Sequence, residues 1–209
     1  MLNSFLKTII PDIVIRSLRQ FVYNRRLKIW KKKGCPVPPP HIVKQNTIKQ
    51  LQKANNIEIF IETGTFRGEM VEAQKHFFKK VFSIELAEDF YLKAKQRFRK
   101  DKNVTILQGD SGKILTELLP KISKRAIFWL DGHYSSGDTA KGEKECPIFE
   151  ELNAIFNGKI ENHIIIIDDA RLFIGKDDYP TIDELNSFIK QKNHTFKLEV
   201  KNDIICIVN

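Results

Sequence analysis

Residues Ile57 to Met70, IEIFIETGTFRGEM, constrain the chain more than any other stretch, because a short apolar run ends on an acid and passes at once into a glycine-bearing turn. Ile57, Ile59, Phe60 and Ile61 are β-branched or aromatic, the types that pack on a buried strand, and Glu72 to Lys80 carry a polar helical pattern. A strand therefore feeds a helix through Gly64 and Gly68. Glycines let the backbone approach a ligand closely, and the first N–H groups of the new helix have no partner inside it. A small polar or anionic ligand suits the space in front of such a turn. The pyrophosphate-binding G-x-G-x-x-G pattern needs its glycines closer together. Here the pattern is Glu62-x-Gly64-x-x-x-Gly68 with Phe66 inside it.

The same device recurs along the chain. KKVFSIEL ends a second strand at Glu85, followed by Leu86, at about the separation from the turn at which a carboxylate reaches a ribose diol and accepts from both hydroxyls. NVTIL leads to Asp110 and Ser111, RAIFWLD to Asp131, and HIIIIDD to Asp168 and Asp169. Helical patterns fall between these strands, in EDFYLKAKQRFRKDK, SGKILTELLPKI, PIFEELNAIF and YPTIDELNSFIKQK. HTFKLEV and DIICIVN read as a closing hairpin joined at Lys201-Asn202. This order predicts an α/β fold: a doubly wound, Rossmann-like, seven-stranded, mainly parallel sheet with one antiparallel strand, plus an N-terminal helical segment. Ligands of such sheets lie beyond the carboxyl ends of the strands, where Glu62, Glu85, Asp110, Asp131, Asp168 and Asp169 all fall. Any one of them serves as readily as a helix cap. Five strands in succession ending in acids point to a site.

With these residues in view, the chain resembles the class I S-adenosylmethionine-dependent methyltransferases. ETGTFRG, covering Glu62, Gly64, Thr65, Phe66 and Gly68, is similar to their first motif in the form found in small-molecule O-methyltransferases. The resemblance implies that Glu85 binds ribose with Leu86 beside it, that Asp110 and Ser111 lie by the adenine, and that Asp131 borders the donor. It also implies a helix over the donor in HIVKQNTIKQLQKANN, from which His41, Lys44 and Gln45 would reach its methionine end. Asp131, Asp168 and Asp169 resemble the acidic positions of magnesium-dependent O-methyltransferases, so Mg²⁺ is an implied cofactor. His133, in the polar stretch FWLDGHYSSGDTAKG, departs from the family pattern. Its imidazole, two residues beyond Asp131, makes His133 and Asp131 the candidate catalytic pair, with Tyr134, Lys141 and Arg171 as candidate substrate contacts. DGHYSSGDTAKG and IIDDAR also resemble segments of bacterial proteins encoded near surface-polysaccharide genes, which implies a sugar hydroxyl as acceptor. Three other readings stay open: an RNA methyltransferase, an NAD or nucleotide-sugar enzyme, and a cofactor-binding scaffold without activity.

Charge is unevenly placed. The formal net charge of +9 arises in residues 1–56, which hold 12 Lys and Arg against one acid, Asp12, while the remaining 153 residues are close to neutral. A nucleic-acid partner would want a basic face on the domain itself, so nucleic acid is not the expected partner. Leu2, Phe5, Leu6, Ile9, Ile10, Ile13, Val14, Leu18, Phe21 and Val22 recur at helical steps, interrupted at Pro11, with basic residues between them. Residues 1–34 thus form an amphipathic basic segment, 35–40 a Pro-rich linker, and 41–209 the catalytic domain. The segment packs on its own domain or a second subunit, or lies peripherally on the inner face of an anionic membrane, for which the basic cluster around Trp30 is suited. Cys35, Cys146 and Cys206 follow no disulfide or zinc spacing, which fits the cytoplasm.

Overall fold

The computed structural model describes residues 12–132 and 146–209, with side chains described from residue 21. Helices α1 (Asp12–Lys32) and α2 (His41–Asn55) precede a sheet of β1 (Ile59–Thr63), β2 (Lys80–Glu85), β3 (Val104–Gln108), β4 (Ala126–Leu130), β5 (Ile164–Ile167), β6 (Lys197–Lys201) and β7 (Ile204–Val208). Between strands lie α3 (Glu69–Gln74), α4 (Glu88–Phe98), α5 (Ser111–Leu118), α6 (Ile148–Phe156) and α7 (Ile182–Lys192). The spatial order is β3-β2-β1-β4-β5-β7-β6, with β7 antiparallel to both of its neighbours and every other pairing parallel. This is the expected doubly wound sheet. Its direction of winding reverses between β1 and β4, the place where such sheets open a crevice.

Period two along each strand divides the core. Ile59 and Ile61 of β1, Phe128 and Leu130 of β4, and Ile165 and Ile167 of β5 face one layer with Leu115, Leu152, Leu185 and Ile189 from α5, α6 and α7. Phe60, Ile127, Trp129, Ile164 and Ile166 face the other, with Ile48 of α2, Val71 of α3 and Phe98 of α4. Strands β1, β4 and β5 are buried along their whole length; β4 and β5 accordingly read as unbroken apolar runs, while β1 closes on the buried Glu62 and Thr63. The edge strand β6 is largely exposed.

Three local expectations need correction. The helix after β1 is only Glu69–Gln74, not the 72–80 stretch, because Lys80 already pairs with Ile59 as the first residue of β2. The hairpin turns on Asn202-Asp203, both with positive φ (52° and 61°), rather than on Lys201-Asn202. Two consecutive left-handed residues match the twist of the strands, and Asn and Asp tolerate that conformation best after glycine. Trp30 is not an exposed interfacial aromatic: it is buried, and its indole N–H donates to the Pro36 carbonyl at 2.7 Å, folding the linker back on α1.

His163 pins the far end of the central strands. It is buried, its Nδ1 accepts the Ala126 N–H at 3.0 Å, and its ring meets Phe128 edge to face. Burial, then the Arg125 charge, lowers its pKa from 6.5 to about 4. The folded chain therefore holds His163 neutral while the unfolded chain takes up a proton as pH falls below 6.5. Stability from this group is complete above that pH and declines toward pH 4, by at most about 3 kcal/mol. Thermal unfolding of wild type and His163→Gln, which keeps an acceptor for Ala126, should diverge in this window, with wild type losing more on acidification. Parallel curves would remove His163 as the cause.

Candidate active site

The turn after β1 is built from below. Glu62 is buried, and Ser83 on β2 donates to its carboxylate at 2.5 Å, while the Thr65 and Ser83 hydroxyls share a hydrogen bond of 2.6 Å. Burial, opposed by the Ser83 bond and reinforced by the Glu85 charge, pushes Glu62 up to about 8. Glu62 therefore braces the turn from the interior. Above it, the Gly64 and Thr65 N–H groups donate to the Ile84 carbonyl, and Phe66, at φ 47°, packs its ring tilted against Phe90 at 4.8 Å. Glu85 meets the turn from β2. Its two oxygens accept the Phe66 N–H at 2.6 Å and the Ala87 N–H at 2.9 Å. A carboxylate offers about four lone-pair sites, so each oxygen keeps capacity for another donor. Phe66 and Leu86 remain exposed beside it.

Gly64 is also where the two halves of the sheet meet. Thr63 pairs with Leu130, which brings Gly64 alongside Asp131, and a Cβ on Gly64 would lie 2.3 Å from the Asp131 carbonyl oxygen. With φ at +80°, only glycine suits this position. Gly132 is confined less severely: a Cβ there would meet Glu151 Oε1 at 3.0 Å and Thr63 Oγ1 at 3.2 Å. Glu151, on α6, is buried beneath this close approach. Burial, opposed by hydrogen bonds from Ser111 and Thr63, pushes it up to about 7. Asp110 accepts the Lys113 N–H at 3.0 Å and so caps α5.

Beyond β4 and β5, one carboxylate oxygen from each of Asp131, Asp168 and Asp169 lies within 4.8 Å of the others. The sequence-level trio is thus brought together. Asp131 is pushed well above the usual carboxylate range by burial, then by the charges of Asp168 and Asp169. Lys44 of α2 reaches into the same cluster, with Nζ 2.6 Å from Asp168 and 3.0 Å from Asp169. Burial opposes its ammonium, but the two aspartate charges outweigh that and raise its pKa. Asp169 is in the left-handed region at φ 55° and also binds Arg171 at 2.8 Å, while Arg171 pairs with the buried Asp203. Burial works against ionised Asp169, yet Lys44 and Arg171 together lower its pKa. By donor type and spacing the three carboxylates suit a divalent ion. The ammonium already occupies two of them.

Sequence reasoning placed Lys44 near the donor and did not pair it with the acids, and it missed Glu151. The latter had a signal: in α6, Glu151 falls among Ile148, Leu152 and Ile155 on the face that enters the core. His41 turns to Gln45, with Nδ1 2.7 Å from the amide nitrogen. Among the remaining expected contacts, His133, Tyr134 and Lys141 lie outside the described residues.

No family model matches the sequence, and no curated protein matches it. Solved structures do. The O-methyltransferase TomG of Streptomyces achromogenes, involved in tomaymycin synthesis and solved with S-adenosylmethionine (SAM), aligns at a TM-score of 0.59 with 13% identity over 89% of this chain and 88% of that one. An O-methyltransferase of Bacillus cereus in complex with S-adenosylhomocysteine (SAH) gives 0.58 and 11%, with 90% of each chain covered. The SAH-bound methyltransferase PaMTH1 of Podospora anserina gives 0.56 and 13%, covering 79% of this chain and 77% of that one. At such identities the likeness is one of architecture, and the chain has the fold of the class I S-adenosylmethionine-dependent methyltransferases.

Proposed function

We propose that the protein is a SAM-dependent O-methyltransferase acting on a hydroxyl of a small molecule or saccharide. Glu85 carries this reading: a carboxylate at the end of β2, 2.6 Å from a backbone N–H of the glycine turn and with lone pairs to spare, suits a ribose diol. Bound SAM supplies a methyl group on a sulfonium. In this proposal Glu85 holds the ribose, Leu86, Asp110 and Ser111 border the adenine, and Gly64 and Gly132 keep the carboxyl ends of β1 and β4 clear of side chains. Asp131 lies next to the acceptor, and His133, two residues further on, takes the hydroxyl proton as the oxygen bonds to the methyl carbon and the carbon–sulfur bond breaks. The chain's contribution is mainly alignment.

An open cleft of about 430 Å³ between α6 and the loop after β5, lined by Phe149, Lys176, Asp177, Asp178, Tyr179 and Pro180, is the place proposed here for the acceptor. Aromatic faces beside charged groups suit a sugar, whose C–H faces pack on rings while its hydroxyls find polar partners.

The N-terminal segment supports a further role at an anionic membrane surface. Phe21 is 68% exposed and Val22 and Ile29 are also exposed, interleaved with exposed Arg25, Arg26 and Lys28. No helix among the described residues is long and apolar enough to cross a membrane, so this contact would be peripheral.

Calorimetry should show that SAH binds and NAD does not, and Glu85→Gln should weaken SAH binding by about tenfold or more, the scale of a hydrogen bond to a charged group. Absence of SAH binding to wild type would end the methyltransferase reading. Methyl transfer from labelled SAM to a panel of saccharide acceptors should vanish in His133→Ala while SAH affinity persists. Retained turnover with weakened SAH binding would contradict the assignment of His133. The full chain should co-sediment with phosphatidylglycerol vesicles and not with phosphatidylcholine vesicles, and replacing Arg25, Arg26 and Lys28 by Glu should abolish this. Equal behaviour with both vesicle types would remove the membrane role.

A further inference from the structure

We propose that Lys44 is the resident cation of the Asp131, Asp168 and Asp169 cluster, so that the site works without a divalent metal. Lys44 stands on the first turn of α2, 124 residues before Asp168, and is itself 8% exposed. An ammonium has three N–H donors. Two of them are spent on Asp168 and Asp169, at 2.7 Å and 3.0 Å. Neither aspartate is arranged to wait for an ion. Asp168 Oδ1 accepts the Asp169 N–H at 2.7 Å, and Asp169 Oδ1 receives both Lys44 and Arg171. A divalent ion bound through these oxygens would have to displace Lys44 or bring two more positive charges beside it, and at this spacing repulsion between cations in a buried setting is severe.

The placement of α2 makes Lys44 a fixture. The helix is locked to α3 through Gln74, whose side-chain amide donates to the Gln45 carbonyl at 3.0 Å, and Ile48 one turn on is fully buried. Lys44 is thus delivered to the cluster by a packed helix. A tethered ammonium gives the acceptor pocket one fixed positive charge that neither dissociates nor is removed by chelators. Lys44 is a positioning residue here: it sets the orientation of Asp168 and Asp169 and leaves proton removal to other groups.

The proposal rests on the methyltransferase reading only for its chemical consequence, since ion binding at the cluster is measured without donor or acceptor. Mn²⁺ is the probe, its free concentration read from its electron paramagnetic resonance spectrum. Wild type treated with EDTA and dialysed should bind Mn²⁺ at least about tenfold more weakly than Lys44→Gln, in which the aspartates are released and the amide keeps one donor toward Asp168. The melting temperature of Lys44→Gln should rise with Mn²⁺, and that of wild type should not. Asp168→Asn in the Lys44→Gln background should erase the new site, placing the ion at the cluster. Should Lys44→Gln not fold, the wild type alone decides: stoichiometric Mn²⁺ binding that Asp168→Asn abolishes would overturn the proposal, and absence of such binding supports it. Wild type and Lys44→Gln binding Mn²⁺ equally, or neither variant binding, would also overturn it.

Discussion

Burial of the central strands on both faces is the constraint from which the rest follows. With β1, β4 and β5 fully enclosed, a charge along their length is costly, so acids fall at or just past their carboxyl ends, and Glu62, the last residue but one of β1, is pushed toward its neutral form. Acids collect there, and each needs a partner because none is far from the apolar interior. Glu62 receives Ser83, Glu151 receives Ser111 and Thr63, and Asp168 receives Lys44. The polar rim is therefore a set of solved burial problems, and the solutions differ: a hydroxyl chain under the turn, a carboxyl pushed toward its neutral form on α6, and a lysine carried in by α2.

The architecture was legible because it depends on period and punctuation. Alternating apolar runs and helical stretches, with five successive strands closed by acids and a hairpin at the end, point to a doubly wound sheet with one antiparallel strand, while the strand order β3-β2-β1-β4-β5-β7-β6 came only from the structure. The strand-end acids were legible for the same reason, since position along a strand is a local property. What the sequence withheld is non-local. Nothing in HIVKQNT says that its lysine will meet two aspartates 124 residues later, because a solvated lysine on the same helix would look identical. The length of α3 was also hidden. Glu72 to Lys80 is helical in composition, but the register of β2 against β1 claims Lys80 for the sheet, and pairing with a buried strand outweighs weak helical preference.

The two halves of the sheet divide the work of the rim. On the β1–β2–β3 side, Glu85 accepts one backbone N–H on each oxygen, from Phe66 and Ala87, and keeps acceptor capacity on both. On the β4–β5 side the polar groups close upon one another, with Asp168, Asp169, Lys44, Arg171 and Asp203 in one connected chain of ion pairs. An open rim invites a ligand rich in donors, such as a ribose. A closed one fixes its electrostatics in advance and leaves little to reorganise.

Between these halves the chain has removed every side chain it can. Gly64 has no room for a Cβ against the Asp131 carbonyl, and Gly132 has little against Glu151 and Thr63. Two parallel backbones leaving their strands this closely have only main-chain atoms and the strand-end groups around them. Small displacements of β4 relative to β1 would therefore shift Asp131 directly, since its N–H is tied to the Thr63 carbonyl and hydroxyl of β1. That places the demand for precision on the packing beneath, where Trp129 and Phe128 lie fully buried on opposite faces of β4 and hold the strand from both sides. The two aromatic side chains of this one strand thus set how firmly the Asp131 carbonyl is held against Gly64, since a strand gripped on both faces has little room to slide.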